Sequence, residues 1–183
     1  MDVGIGLPNT IPGTDGRVVV EWARRADGGP FSTLAVLDRL AYDSIDPFAA
    51  LAAAAAVTER VGLATMIAIG PLRNAALLVK QAASVDALSA GRLTLGLAVG
   101  ARLDDYEAAG VDHRGRGPRL SEQLAALRDG EDLGVRPDLP LLVGGTVGPA
   151  FARMAGRSRR SASSTGSPTT RSTPSRRSRR RPA

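Results

Sequence analysis

Apolar positions alternate along this chain between helical and strand-like runs, most clearly over residues 46–100, with an echo at 139–148. Residues 48–57 are almost all Ala and Leu, which predicts a helix by propensity. Asp46 stands where an N-cap accepts from free helix amides, and Pro47 takes the first helical position, where a missing N–H costs nothing. Gly62 breaks that helix, and 63–69 is a continuous apolar segment of strand length. Asn74 caps a second helix over 75–89, with Leu78, Ala82 and Val85 on one face, and Gly91 ends it. The run 93–99 is again an apolar strand, and 3–7, 32–36 and 139–143 complete a set of five. Strands without polar alternation, separated by helices, imply parallel strands covered on both faces and hence an α/β protein.

Length narrows this picture. With 183 residues the chain holds one domain with a core, but falls short of the roughly 250 typical of a closed eight-stranded α/β barrel. It contains no cysteine, which removes disulfides and thiolate metal sites, and with one histidine a zinc site is not expected. No apolar run reaches the roughly 18 residues a membrane helix needs. The chain opens on a strand with no basic segment before it, so no signal peptide and a cytoplasmic location are expected.

Charge divides the chain in two. Residues 156–183 hold nine arginines and no acidic residue, so with +6 overall the first 155 residues carry about −3. An acidic domain over 1–155 is thus followed by a basic tail over 156–183. The tail contains only Arg, Ser, Thr, Pro, Gly and Ala, cannot bury apolar surface, and is expected to be disordered. Its arginines would contact nucleic acid nonspecifically through phosphates, although it lacks the aromatic residues that stack bases. The alternatives are a solvated tail without function and, the favoured reading, a frameshift. Arg outnumbers Lys 23 to 1, which suggests a GC-rich gene whose out-of-frame reading yields this alphabet.

Several phrases in order carry a resemblance: Asp46-Pro47-Phe48 before the Ala run, Thr58-Glu59-Arg60-Val61-Gly62, Pro71-Leu72-Arg73-Asn74, Lys80-Gln81-Ala82, Gly91-Arg92-Leu93, and Gly96-Leu97-Ala98-Val99-Gly100. Together they resemble the luciferase-like monooxygenase family, which includes bacterial luciferase and deazaflavin-dependent oxidoreductases, over Val3 to about Ala155. The resemblance implies a partial (β/α)8 TIM barrel of about five parallel strands with three strands absent. Two unpaired sheet edges would then favour a homo-oligomer. It also implies a flavin- or deazaflavin-dependent oxidoreductase or monooxygenase, using FMN or a deazaflavin of the coenzyme F420 type on a small organic substrate. The alternative is an inactive remnant or assembly partner of such an enzyme.

Active sites of α/β barrels lie at the carboxyl ends of the strands. Gly144-Gly145-Thr146-Val147-Gly148 follows an apolar strand and precedes a helical-looking 149–155; it is either a tight turn or a cradle for an anion at a helix start. The family resemblance favours the cradle, with the backbone amides of Thr146 and Val147 on a flavin phosphate. Thr65, Met66 and Ile67 match the third-strand end that passes behind the cofactor ring, and a cis peptide is expected at Met66–Ile67; by the residues alone, Met66 is a buried strand position. Ala98 and Gly100 give either ring space or close sheet–helix packing. Asp38 follows strand two, where relatives have an acid and a histidine, but here Arg39 replaces the imidazole. Asp38 is expected to accept a hydrogen bond or to pair with Arg39. His113 reads as an exposed loop residue, and no acid or base is identified.

Overall fold

The computed structural model describes residues 1–145. The expected helix at 149–155, Thr146 and Val147, and the tail lie outside the described residues. Six strands run parallel: β1 (Gly4–Gly6), β2 (Thr33–Val36), β3 (Gly62–Thr65), β4 (Ala68–Ile69), β5 (Leu93–Ala98) and β6 (Leu141–Gly144). β1 pairs β2, β2 pairs β3, both β3 and β4 pair β5, and β5 pairs β6. The five expected strands are therefore present, with the third divided into β3 and β4. Helices α1 (Gly16–Asp27), α2 (Pro47–Ala55), α3 (Ala75–Leu88), α4 (Leu103–Ala109) and α5 (Arg116–Arg128) connect them.

The caps act as the sequence implies. Asp46 accepts from the amides of Phe48 and Ala49, and Asn74 from those of Ala76 and Leu77. Asn74→Ala is expected to lower stability by about 1 kcal/mol, read as a shift in urea midpoint at constant m-value.

Parallel register gives the sheet two unlike faces. Leu34, Val36, Leu63, Leu93, Leu95 and Leu97 share one face and pack with Val19, Leu51, Leu78, Ala82, Leu120 and Leu124 of the helices. The other face carries Gly4 and Gly6, Thr33 and Ala35, Ala64, and Gly96, Ala98 and Gly144. Large side chains are thus concentrated on the helix side, where burial contributes most; the exceptions are Ile69, in register with Ala98, and the exposed Leu142, in register with Gly96.

On the edge where the strands begin, one arginine precedes each of β3, β5 and β6. Arg60 donates to the carbonyls of Ala26 and Asp27, at the end of α1, and of Gly29 and Phe31, in the loop before β2. Arg92 donates to the Thr58 hydroxyl and to the carbonyls of Thr58 and Val61, in the loop before β3. Arg136 reaches Asp86 at 2.7 Å and the Gly91 carbonyl at 3.2 Å, before β5. Every guanidinium fastens the loop of the preceding unit.

Candidate functional site

The opposite edge, where the strands end, collects the segments that follow β1, β2, β4 and β5. Its centre is the interruption between β3 and β4. Ala64 pairs with Thr94 and Ala68 with Leu97, so four steps on one strand meet three on the other. The extra residue makes a bulge. The Met66–Ile67 peptide within it is cis, at the expected bond. Thr65 is fully buried, and its hydroxyl takes over the lost ladder bonds: it donates to the Gly96 carbonyl at 2.7 Å and accepts from the Gly96 amide at 2.8 Å. Met66 is half exposed, with its amide bonded to the Val36 carbonyl at 2.7 Å.

Ile67 lies across two neighbouring strands. A Cβ on Gly96 would stand 2.6 Å from Ile67 Cγ2 and hard against the Thr65 carbonyl, and one on Gly144 would collide with Ile67 Cδ1. Gly100, at φ +69°, lies under Ile69, whose Cγ2 would be 2.6 Å from an added Cβ. The space left by Gly96, Gly100 and Gly144 is therefore filled by Ile67 and Ile69. Ala98 is almost buried beside Gly144, and Gly145 is exposed just past β6.

Asp38 does not pair with Arg39. Its side chain, 2% exposed, accepts from the Ile69 amide at 2.8 Å and from both terminal nitrogens of Arg73, at 2.5 and 3.2 Å. Arg73 also reaches Asp46 at 3.0 Å. Burial lowers the Arg73 pKa, but the two carboxylates outweigh it and raise it further, so the guanidinium is always charged. Gln123 of α5, fully buried, donates to the carbonyls of Gly70 and Arg73 and anchors this turn from behind.

Arg39 turns the other way, to Asp105 at 2.9 Å and Asp104 at 3.0 Å. Neighbouring side chains on an extended segment point to opposite sides, so adjacent charges rarely meet. Asp105 also accepts from the amides of Leu40 and Ala41, which ties the segment after β2 to α4. Burial raises the Asp105 pKa, yet these amides and Arg39 prevail and hold the carboxyl below the usual range. Its stabilising contribution is thus complete above the unfolded-state value, about 3.9, and disappears as pH falls through the lower folded value. Urea midpoints should fall below about pH 4, and less steeply in Asp105→Asn; equal slopes would deny Asp105 that role.

Asn9, 1% exposed, fastens the segments after β1 and β2: its amide donates to the carbonyls of Leu37 and Ile45, and its oxygen accepts from the Leu37 amide. Nothing in the sequence pattern singles out Asn9, and Arg73 stands there only within a family phrase. His113 is partly buried rather than exposed. It meets Tyr106 edge-on at 4.9 Å between centroids and Arg116 at 3.0 Å, while Arg114, Arg116 and Arg119 cluster at the start of α5. Among the described residues, no group of three His, Cys, Asp or Glu side chains is placed to hold a metal, and no helix is long and apolar enough to cross a membrane.

With Asp38 and Asp46 engaged by Arg73, Asp104 and Asp105 by Arg39, Asp43 by the Gly13 amide, and His113 set against Arg116, the arrangement offers position first of all. A model of the luciferase-like monooxygenase family matches residues 1–159. Among solved structures, the chain is similar to the monooxygenase RslO1 from Streptomyces bottropensis: TM-score 0.76, 25% identity, 86% of this chain and 57% of that one. It also resembles an F420-dependent secondary alcohol dehydrogenase in complex with an F420–acetone adduct (TM-score 0.70, 21% identity, 85% and 55% covered). A third likeness is to the oxygenating constituent of 3,6-diketocamphane monooxygenase of Pseudomonas putida in complex with FMN (TM-score 0.63, 22% identity, 70% and 38% covered). The chain spans about half the length of the curated relatives it matches. One, an uncharacterized protein of Mycobacterium tuberculosis, is 34% identical over 121 residues, 55% of this chain and 43% of that protein.

Proposed function

Because the chain belongs to the luciferase-like monooxygenase family, we propose that its strand ends hold the ring of FMN or of a deazaflavin of the F420 type, in an oxidoreductase acting on a small organic substrate. The observation that carries this reading is the bulge between β3 and β4, which presents Met66 half exposed while Thr65 fixes the backbone behind it. A ring needs a firm, flat, apolar support, and the residues there fit: Thr65, Met66 and Ile67 form the support, with Ala98 and Gly100 small beside it. The amides of Thr146 and Val147 are assigned to the phosphate by family resemblance, with Gly144 and Gly145 forming the turn that leads to them, and Asp38 acts through Arg73 by holding the turn that follows β4.

The cofactor would supply hydride transfer or oxygen activation; the protein supplies orientation and exclusion of water. Titration of the full chain with FMN and with F420, followed by ring fluorescence, tests the reading. One of them should bind, weakly, and Met66→Glu, at an exposed position, should weaken that binding at least about tenfold with an unchanged melting temperature. Absence of binding by both, or indifference to Met66→Glu, would refute it. β1 pairs only with β2 among the described residues, which favours self-association through that edge; sedimentation velocity across a concentration series reads it.

A further inference from the structure

We propose that this edge selects a neutral, apolar organic molecule as substrate, recognised by its hydrocarbon area and not by a charge. The inference rests on the reading of this edge as the reactive one. Six large apolar side chains on the segments after the strands are substantially exposed: Ile11, Leu37, Leu40, Tyr42, Met66 and Leu103. The backbone brings them together in three pairs. Val36 is in register with Thr65, which sets Leu37 beside Met66. The Leu40 amide bonds to Asp105, and Arg39 to Asp104, which sets Leu40 beside Leu103 at the start of α4. The Gly13 amide bonds to Asp43, which brings the segment carrying Ile11 against the one carrying Tyr42.

The charges on the same segments are already committed. Asp38 and Asp46 share Arg73, Asp104 and Asp105 share Arg39, and Asn9 is used entirely on backbone groups. Each arginine faces two carboxylates, so neither has charge to spare for an anionic ligand, and these four carboxylates have their cations; Asp43, exposed, accepts from the Gly13 amide. A carboxylate group on the ligand would be desolvated beside arginines that are already paired. Apolar surface, by contrast, gains from every methylene covered. Arg102 is the exception, largely exposed and 3.9 Å from Asp104, and the experiment therefore includes anions.

The chain has three methionines, so methyl-13C-methionine labelling gives a simple spectrum in which Met66→Leu identifies the Met66 signal. Titration of the full chain with 2-hexanone, 2-octanone and 2-decanone should move that signal. Affinity should rise about fourfold per added methylene. Alkanoates of matching length should bind at least about tenfold more weakly, and Leu40→Asp should weaken ketone binding by a similar factor. An unmoved Met66 signal, affinity independent of chain length, or alkanoates binding as well as ketones would overturn the proposal. Cofactor titration is read separately by ring fluorescence. Ketone binding without flavin binding would keep this inference and lose the cofactor reading; the reverse would lose this one alone.

Discussion

Gly96→Ala is expected to be the most damaging single-methyl change in this protein. The added Cβ would press on the Thr65 carbonyl, a backbone atom of the adjacent strand, and stand 2.6 Å from Ile67 Cγ2. Neither neighbour can retreat. Thr65 is bound to both backbone groups of Gly96 through its hydroxyl, and Ile67 is already laid across Gly144. Overpacking in a core ordinarily costs about 1–3 kcal/mol where side chains can shift; with a backbone oxygen in the way, the loss should exceed about 3 kcal/mol, a large part of a domain's usual 5–15. Gly6→Ala is the control, since its Cβ would lie 4.0 Å from the Ala35 carbonyl on the same face of the sheet. Chemical denaturation of both variants decides the matter: a Gly96→Ala midpoint within error of Gly6→Ala would contradict the assigned contact.

Arg73→Met should come next. Removing the guanidinium leaves Asp38 with a 2% exposed side chain and no cation, and breaking a buried pair in this way costs about 3–5 kcal/mol. Part of that loss reflects the charge left behind rather than the bond removed. Adding Asp38→Asn to Arg73→Met should therefore recover a substantial share, because the amide still accepts from Ile69 without carrying a charge. A double-mutant cycle in urea measures the recovery. If the double variant is no more stable than Arg73→Met alone, Asp38 is not paying for burial through Arg73.

The strands were legible because their apolar runs are long and uninterrupted, and the helices at 47–55 and 75–88 because their caps are local. Where the outcome differed, the cause was non-local or a matter of direction. The strand expected over 139–143 begins at Leu141, because the Leu139 amide turns back to the Arg136 carbonyl and Pro140 has no amide to give. Thr65 reads as one more strand residue, but its hydroxyl is committed to Gly96, 31 residues away. Asp38 and Arg39 look like a pair in one dimension and diverge in three, each finding partners at least 31 residues distant. The division of the third strand cannot be read from hydropathy, since Thr65 is the one polar residue of 63–69 and strands accept threonine freely; only the family resemblance pointed to Met66–Ile67.

The arginines at 60, 92 and 136 carry a consequence for how the chain is made. Each reaches back to a loop synthesised before it: Arg60 to residues 26–31, Arg92 to residues 58–61, and Arg136 to Asp86 and Gly91. Emergence from a ribosome runs in the same direction. β3, β5 and β6 thus each arrive with the fastener that secures the unit before them, and none of the three waits for a later one. The edge works as a ratchet, in which assembly can advance one unit at a time behind the growing end.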